Sequence, residues 1–529
     1  MRRIFFSIAV CAVLVSALGA PPRAGAAKKG GTLRIAMEGN VPHLDGTVVL
    51  GLPIKFYREL SGSSLVMVNE KYEIVGDLAH KWEFSDEGRV ITFHLRPGAK
   101  FHDGTPLDAE AVKWNFDLIN GRLETDWMKE EKKKNPKFKF NSSYNLYLYQ
   151  VKKVEVVDKH TVRLHQQDLG KGMTLPALAG YFTRIIFVSP KAYNRDYDKF
   201  KRLPVYSGPF KITEYKHNQL VVMERFKDYY IKDRPHLDRI EIYYMPDANQ
   251  RLNALRAGQI DMIFSVPLSL VATLEKTPGV KLHTGRTATT KGIPIPNQRG
   301  PFTDVRVRTA LGCHGIDRAL IVRTALRGLS EPWASFSGPG ARDAIDLTAE
   351  CRFDPAKVKS LLAEAGYGPQ KPFKFQMPII NSDPTYAEIA QIMKTTYGQM
   401  GIQMDIQVLD RATWVNLFVL RRVADMTIQD TLPTFDFNSA SHTFYSKTFL
   451  DYYMMKDPKV DAMVEEWRST IDPKKQIEIS HRLQRYIVDQ GYYPSVAGSP
   501  FIQATRDYVK DFAFRNKIIF TLRDTWLDK

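Results

Sequence analysis

The chain has 529 residues, of which 44% are hydrophobic and 25% charged, and its formal net charge is +17 at pH 7. At roughly 150 residues per domain, this length predicts more than one compact core, and the composition is that of an ordinary globular protein, not a disordered or fibrous one. Beyond the N terminus, no stretch is both apolar and long enough to cross a membrane.

The N terminus has the pattern of a secretory signal. Arg2 and Arg3 precede an apolar run over residues 4–18, which is too short for a membrane span, and a small-residue segment follows at residues 24–27. This order of charged, apolar and small residues is typical of a signal peptide. We therefore expect residues 1–26 to be removed on export to the periplasm. The twin arginine leaves open whether export uses the general secretory or the twin-arginine route.

Basic residues are scattered along the chain, apart from one dense cluster at residues 129–139. Such a run is typical of a solvated loop or helix end, and a secreted protein is expected to have no nucleic-acid partner. Cys313 and Cys351 follow the signal, and an oxidising compartment permits a disulfide between them; spacing alone does not prove the bond, and two free thiols are the alternative. No Cys or His cluster has zinc-site spacing, so we expect no metal and no other cofactor.

Apolar periodicity predicts a mixture of helices and strands, which is an α/β class. The predicted elements, in chain order, are a strand at 33–37; a strand, two turns and a helix capped by Asp108 within 89–119; strands at 154–157 and 161–164; a short helix at 170–180; a strand at 239–244, a helix at 248–257 and a strand at 261–264; helices starting at 304 and 354; a helix at 385–400, a strand at 402–409, a helix at 412–420 and a strand at 426–428; helices at 459–469 and 473–490; and a tail of strands and turns from 500.

Residues 93–110 carry a longer signature, F-H-L-R-P-G-A-K-F-H-D-G-T-P-L-D-A-E. It closely resembles the signature of the bacterial extracytoplasmic solute-binding proteins of the peptide/nickel class (family 5), which are the ligand-capturing subunits of ABC importers. Two departures are Ala111, where the family usually has an acid, and Gly46, where it usually has proline. Further segments that resemble the family lie at 78–86, 206–212, 224–230, 251–261 and 304–311, so the resemblance covers about residues 30–520.

The resemblance implies a two-lobed periplasmic-binding-protein fold with hinge-connected lobes and an extra subdomain. Lobe I is expected at 28–62, 204–288 and 493–529, the extra subdomain at 63–203, and lobe II at 289–492. It also implies a monomer whose lobes close on a ligand and which then delivers the ligand to ABC transporter permease subunits in the membrane.

No motif in the chain points to catalysis. The sequence lacks G-x-x-x-x-G-K-[ST], H-E-x-x-H and G-x-S-x-G. We therefore expect a binding protein that is not an enzyme. A secreted hydrolase stays as an alternative, because a Ser-His-Asp triad is recognised by geometry and not by sequence spacing.

One loop of lobe II is where the resemblance places the ligand. Peptide-binding relatives typically carry a Trp and then an Asp there, and that Asp pairs with the amino terminus of the peptide. This chain has Thr431 and Thr434 at those positions, with Asp430 and Asp436 on either side. Either the ammonium site has moved to a flanking acid or it is lost. We expect Asp430, Thr431, Phe435 and Asp436 to line the ligand cleft.

Five further residues are candidates for ligand contact. Asn40, His43 and Asp45 belong to the loop after the first strand, where Asp45 could equally stabilise a turn. Trp333 could stack on a ring of the ligand or pack in the core. Arg286, near the predicted crossing between lobes, could pair with an anionic group or form a surface ion pair.

The ligand class stays open between two groups. A peptide or peptide-sized solute comes first. A non-peptide solute, such as an oligosaccharide, opine, organic acid or aromatic compound, is the alternative. Nickel would require convergent histidines or a chelating co-ligand, and no sequence pattern demands either.

Overall fold

The computed structural model describes residues 27–49, 52–69, 73–142, 144, 148, 151–166, 185–381, 383–420, 425–431, 443–446, 455–470, 472–512 and 521–529. The strands within these residues are β1 (Thr32–Met37), β2 (Val66–Val68), β3 (Ile74–Gly76), β4 (Ala79–Ser85), β5 (Val90–Leu95), β6 (Val151–Asp158), β7 (Thr161–Gln166), β8 (Phe210–Lys216), β9 (Leu220–Arg225), β10 (Arg239–Tyr244), β11 (Met262–Ile263), β12 (Val280–His283), β13 (Thr290–Gly292), β14 (Lys374–Ile380), β15 (Gln403–Leu409), β16 (Gln429–Asp430), β17 (Ser495–Gly498), β18 (Gln503–Arg506), β19 (Val509–Lys510) and β20 (Trp526–Leu527).

The helices within the same residues are α1 (Leu52–Ser61), α2 (Ala109–Ile119), α3 (Asp126–Lys134), α4 (Pro190–Arg195), α5 (Tyr197–Arg202), α6 (Ala248–Arg256), α7 (Val271–Glu275), α8 (Val305–Thr309), α9 (Arg318–Thr324), α10 (Pro355–Glu364), α11 (Pro384–Gln399), α12 (Arg411–Trp414), α13 (Pro458–Ser469) and α14 (Pro473–Asp489). Two of the helices run on into a π-helical turn, α8 at Ala310–His314 and α12 at Val415–Leu420.

A seven-stranded sheet has the strand order β12-β18-β11-β1-β10-β9-β8, in which β18 comes from near the C terminus and the other strands precede residue 284. The inner strand β1 pairs in parallel with β10 and β11, so that Ile35 lies opposite both Ile242 and Met262. All three side chains are buried in one apolar cluster. An inner strand covered in this way reads as an apolar run, and the strand predicted at 33–37 is confirmed.

A smaller antiparallel sheet, with strand order β4-β5-β7-β6, packs against α2. Phe93 of β5 is fully buried. The carboxylate of Asp108 accepts a hydrogen bond from the backbone N–H of Ala111 at 3.2 Å, which caps α2, and Asp103 accepts one from the backbone N–H of Thr105 at 3.1 Å within the turn. The strand, turn and capped helix predicted for residues 89–119 are therefore confirmed.

Two further sheets form the body of the region between β13 and β17. Strands β14 and β15 pair in parallel under α11, while β13 lies between β16 and β17. Met377, Ile389 and Met393 belong to the apolar cluster of this region. Asp354 and Asp383 cap α10 and α11, each directly before a proline at the first helical position, as expected for the Asp-Pro pair at a helix start.

The chain passes twice between the two groups of sheets. Residues 284–289 lead from β12 in the seven-stranded sheet to β13, and residues 499–502 lead from β17 back to β18. We call these the crossing segments. The described residues within 27–283 and 503–529 form what we call the first lobe, and the described residues within 290–498 form the second lobe.

The crossing segments are hydrogen-bonded to each other. The backbone N–H of Ser499 donates to the carbonyl of Thr289 at 2.9 Å, and the hydroxyl of Thr287 donates to the carbonyl of Ser499 at 2.5 Å. The lobes are therefore joined by a narrow two-stranded connection, and such a connection is the usual site of hinge motion.

A disulfide joins Cys313 and Cys351 in the second lobe, with their Cα atoms 4.6 Å apart. Both cysteines are buried in a small cluster with Ala334, Leu347 and Val488. The bond ties the turn after α8 to the segment that precedes α10.

Some predicted elements differ from the structure. The strand predicted at 426–428 is wrong: Met426 and Ile428 are fully buried core side chains, while the ladder contacts begin one residue later, in β16. The helix predicted at 412–420 continues beyond α12 as a π-helical turn. The helix predicted at 170–180 and the signal peptide at 1–26 lie outside the described residues.

Candidate functional site

A cavity of about 400 Å³ lies between the two lobes, beside the crossing segments. The first lobe contributes Glu38, directly after β1, and Arg251 of α6. The second lobe contributes Lys291 of β13, Asp383 and Asp430. Its volume falls within the ~300–1,000 Å³ range typical of small-ligand pockets.

Lys291 is the cationic centre of the cavity wall. On β13 it lies opposite Asp430 of β16 and Ala497 of β17. Its Nζ lies 2.7 Å from the carboxylate of Asp383 and 3.1 Å from that of Asp430, and only 3% of the side chain is exposed. A buried ammonium is stable only when it is paired, and here two carboxylates pair with it.

Asp383 has two roles in this arrangement. Its Oδ1 accepts hydrogen bonds from the backbone N–H and the hydroxyl of Thr385, which caps α11, and its Oδ2 accepts one from Lys291. About a third of the side chain is exposed. The helix start therefore holds the carboxylate in place while part of it faces the cavity.

Tyr386 and Ser499 hold the second carboxylate. The Tyr386 hydroxyl donates to Asp430 Oδ1 at 3.2 Å and accepts from the Asp430 backbone N–H at 3.0 Å, while its ring lies 4.6 Å from Lys291 Nζ. The Ser499 hydroxyl donates to Asp430 Oδ2 at 2.6 Å. Asp430 is thus bonded to β13, to α11 and to the second crossing segment.

Taken by themselves, Asp383, Lys291 and Asp430 carry one more negative than positive charge when both carboxylates are ionised. Burial lowers the pKa of Lys291, but attraction and hydrogen bonding by Asp430 and Asp383 outweigh it, and the net pKa shift is upward. Burial, reinforced by the same carboxylates, raises the pKa of the Tyr386 hydroxyl far above its ordinary range. Lys291 is therefore charged, and Tyr386 neutral, near pH 7.

The loop predicted to line the cleft is described only in part. Asp430 lies in the cavity wall. Thr431 is buried, and its hydroxyl and backbone N–H bond to the backbone N–H and carbonyl of Thr290, both at 2.8 Å, which fixes β16 against β13. Phe435 and Asp436 lie outside the described residues, so their predicted ligand contact stays a prediction.

The residues predicted from the loop after β1 are engaged within the first lobe. Asp45 is fully buried and accepts hydrogen bonds at 2.8 Å from the backbone N–H and hydroxyl of Thr47 and from the Tyr197 hydroxyl. Burial raises its pKa. A side-chain nitrogen of His43 accepts from the Asp45 backbone N–H at 3.3 Å, and the Asn40 amide donates to the side chain of Asn218. This geometry favours the turn-stabilising role of Asp45.

Trp333 and Arg286 lie near the crossing segments in structural roles. The Trp333 indole N–H donates to the carbonyl of Ser337 at 2.7 Å, and the ring is buried. Arg286, whose side chain is 67% exposed, forms an ion pair with Glu331 at 2.7 Å. The geometry therefore favours core packing over ligand contact for Trp333. It favours a surface ion pair over ligand contact for Arg286.

Sequence reasoning missed Lys291, Asp383 and Arg251 as cavity residues. The stretch 287–297 reads as a crossing segment, but nothing in it marks Lys291 as buried. Asp383 stands before Pro384 just as Asp354 stands before Pro355, which signals a helix start and not a ligand site. Among the described residues, no group of three or more His, Cys, Asp or Glu side chains is arranged to hold a metal ion.

Comparison with known protein families shows which family the chain belongs to. The model of the bacterial extracellular solute-binding proteins, family 5 (middle region), matches residues 73–451. The chain belongs to this family. The match spans the small antiparallel sheet, the first crossing segment and part of both walls of the cavity, including Arg251 and Lys291.

Individual proteins and solved structures resemble the chain as well. It is 29% identical to heme-binding protein A of Haemophilus influenzae over 62% of this chain and 60% of that protein. It is 26% identical to the glutathione-binding protein GsiB of Escherichia coli O1:K1 over 67% of this chain and 64% of that protein. The alignments thus span less than two thirds of the length of these relatives.

The ABC transporter substrate-binding protein CtaP of Listeria monocytogenes superposes with a TM-score of 0.80 at 21% identity, over 95% of this chain and 100% of that chain. The expected α/β, two-lobed periplasmic-binding-protein fold is therefore confirmed. Family 5 proteins are extracytoplasmic solute-binding proteins and not enzymes. In the described part of the chain, every helix is too short or too polar to cross a membrane.

Proposed function

We propose that the protein is the substrate-binding subunit of an ABC importer that captures a peptide or peptide-sized solute with a free amino group. The observation that carries this proposal is the cluster of Asp383, Lys291 and Asp430 in the wall of the cavity between the lobes. Its surplus negative charge is the feature that a cationic group of the solute would neutralise.

The charge balance favours an ammonium group over a second carboxylate at this wall. Lys291 is already paired with both acids, so an incoming anion would meet two carboxylates at close range. An incoming ammonium adds the one charge that balances the cluster. Asp383 offers it a partly exposed carboxylate held by a helix start, and such charge-assisted bonds are among the stronger ones.

Capture by lobe closure follows from where the cavity lies. Its walls belong to both lobes, which are joined by the two crossing segments. A solute that contacts both walls stabilises the closed arrangement and shifts the population towards it. The closed form is the one that we propose delivers the solute to the membrane permease.

The relatives agree with a peptide-like solute without deciding it. The glutathione-binding relative carries the name of a tripeptide, while another relative is named for heme. No His, Cys or Met side chain is among the described residues that line the cavity, so an axial iron ligand is missing from that part of the wall. Peptide-like solutes are therefore the better match to the described residues.

We also propose a periplasmic location for a monomeric mature protein, with residues 1–26 as its signal peptide. The pattern of the N-terminal sequence supports export. The disulfide between Cys313 and Cys351 is of a kind that persists in an oxidising compartment.

Thermal unfolding of the mature chain against a panel of solutes tests this proposal. The panel contains di- and tripeptides, glutathione, their N-acetylated forms, sugars, aromatic acids, hemin and Ni²⁺. A ligand at 100 times its Kd stabilises the folded protein by about 2.7 kcal/mol, so a binder raises the unfolding midpoint. We expect peptides with a free amino group to do so, and N-acetylated peptides to do so much less.

Two matched variants locate the effect. Asp383→Asn keeps a side chain that caps α11, and we expect it to weaken peptide binding about 10- to 100-fold through the loss of one charged hydrogen bond. Asp354→Asn makes the same change at the Asp-Pro start of α10, away from the cavity, and should bind as the wild type does. The proposed solute class would be contradicted if sugars, organic acids, hemin or Ni²⁺ raised the unfolding midpoint while no peptide did so.

A further inference from the structure

Arg251 stands out among the cationic side chains of the cavity. It lies in α6 of the first lobe, and only 3% of it is exposed. Its Nη1 donates to the carbonyls of Met245 and Pro246 at 2.6 and 2.9 Å, which fixes the loop before the helix. Its Nε is buried and has no acceptor among the described residues.

Among the described residues of the cavity, the other two cations are paired. Lys291 contacts two carboxylates, and Arg327 contacts Glu388 at 3.3 Å. Within the described part of the chain, Arg251 forms no ion pair with any carboxylate. Burial lowers the pKa of its guanidinium, and the nearby charge of Glu38 only partly opposes this shift. An arginine buried without an anionic partner is costly, and a partner that arrives with the solute would remove this cost.

The same chain shows what such a partner looks like. Arg34 donates from Nε and Nη2 to the two carboxylate oxygens of Asp261, at 3.1 and 3.0 Å. This paired geometry is the one in which arginine binds a carboxylate most specifically. In Arg251, Nη1 donates to backbone carbonyls, while Nε has no acceptor among the described residues. The Nε–Nη2 edge of the guanidinium is therefore the edge that can bind a carboxylate in this paired geometry.

We infer that Arg251 is the subsite for a carboxylate of the bound solute, and that the solute is therefore zwitterionic. This inference rests on the proposed function, because it completes the same cavity. The ammonium of the solute meets Asp383 and Asp430 on the second lobe, and its carboxylate meets Arg251 on the first. A solute with charges of both signs then attracts both lobes at once, which couples recognition to closure.

The test compares two pools of tripeptides, one with free carboxyl termini and one of the same composition with amidated carboxyl termini. The mature protein is dialysed against each pool, and the retained peptides are quantified by mass spectrometry. We expect the wild type to retain the free-acid pool about tenfold or more over the amidated pool, since charged hydrogen bonds are the stronger ones.

Three variants complete the test. Arg251→Gln should bring the ratio between the two pools close to one, because retention of the free-acid pool falls by a larger factor than retention of the amidated pool. Arg251→Lys keeps the charge without the paired donors and should give an intermediate ratio. Arg256→Gln makes the same change at an exposed position of α6 and should keep the wild-type ratio. Thermal unfolding without solute checks that each variant is folded. If Arg251→Gln does not fold, the comparison of the two pools relies on Arg251→Lys.

The outcomes separate the two hypotheses. If the wild type retains both pools equally, or if the folded Arg251 variants keep the wild-type preference, the carboxylate subsite is wrong and the proposed function stands. If the wild type retains neither pool, the proposed solute class is wrong, and the inference that depends on it falls with it.

Discussion

Replacing Lys291 by methionine tests whether this buried cation holds the second lobe together. Both carboxylates lie within 3.1 Å of its Nζ. Methionine fills a similar volume but removes the ammonium that lies between Asp383 and Asp430. Their bonded oxygens are therefore at most about 6 Å apart, and two unit charges at that separation repel by about 3 kcal/mol at an effective dielectric constant of about 20.

We therefore expect Lys291→Met to lower the free energy of unfolding of the second lobe by about 3 kcal/mol at pH 7. This value lies at the lower end of the ~3–5 kcal/mol that follows the loss of one member of a buried ion pair, as suits two acids that are partly exposed. For a lobe of about 200 residues, it corresponds to a fall of about 6–12 °C in the unfolding midpoint.

The loss should depend on pH with a definite sign. In the variant, repulsion raises the pKa of one carboxylate in the folded state, so the destabilisation is present above that pKa and is relieved as the pH falls through it. In the wild type, the raised pKa of Lys291 stabilises the folded state below the unfolded lysine pKa of about 10.4, and this contribution is lost only as the pH rises through the folded value. The gap between the two proteins should therefore narrow from pH 7 towards pH 4.

Thermal unfolding followed by circular dichroism at pH 7 and at about pH 4.5 measures this gap. Lys281→Met, at an exposed position of β12, serves as the control, and Lys291→Met combined with Asp383→Asn should recover part of the loss, because one of the two repelling charges is gone. A Lys291→Met loss below about 1 kcal/mol at pH 7, or one of equal size at both pH values, would refute the reasoning.

Two further predictions concern the scaffold. Asp45→Ala leaves the hydrogen-bond donors of Thr47 and Tyr197 without their acceptor. We expect the free energy of unfolding, measured with denaturant, to fall by about 1–3 kcal/mol while peptide affinity is unchanged. Lower peptide affinity at unchanged stability would instead make Asp45 a ligand contact. Replacing Cys313 and Cys351 by serine opens a cross-link spanning 38 residues and should cost about 4 kcal/mol of the unfolding free energy measured in the same way, whereas a change below about 1 kcal/mol would contradict a formed disulfide.

Local sequence signals predicted most elements of the fold. Asp354 with Pro355 predicted the start of α10, because the carboxylate accepts from a free backbone N–H and proline loses nothing at the first helical position. Alternation over residues 90–95 predicted β5, because one face of that sheet is buried. Such signals act within a few residues of the chain, and for that reason periodicity detects them.

The short strand β16 is an element that local sequence signals did not predict correctly. Residues 426–428 alternate as a strand does, yet the ladder consists of Gln429 and Asp430 opposite β13. What decides a two-residue strand is its partner, and this partner lies about 140 positions away along the chain. The sequence also could not place Lys291 between two acids, because sequence separations of 92 and 139 residues are bridged only by the tertiary fold.

The same long-range pairing explains why the site and the hinge coincide. Asp430 accepts from Lys291 on the strand that ends the first crossing segment and from Ser499 in the second, and Ser499 is in turn bonded to Thr287 and Thr289. On the proposed function, a solute cation at Asp430 would compete with Lys291 and Ser499 for this carboxylate. Solute charge at the cavity wall would then act directly on the crossing segments, and we expect a change at Ser499 to alter the rate of lobe closure as well as affinity.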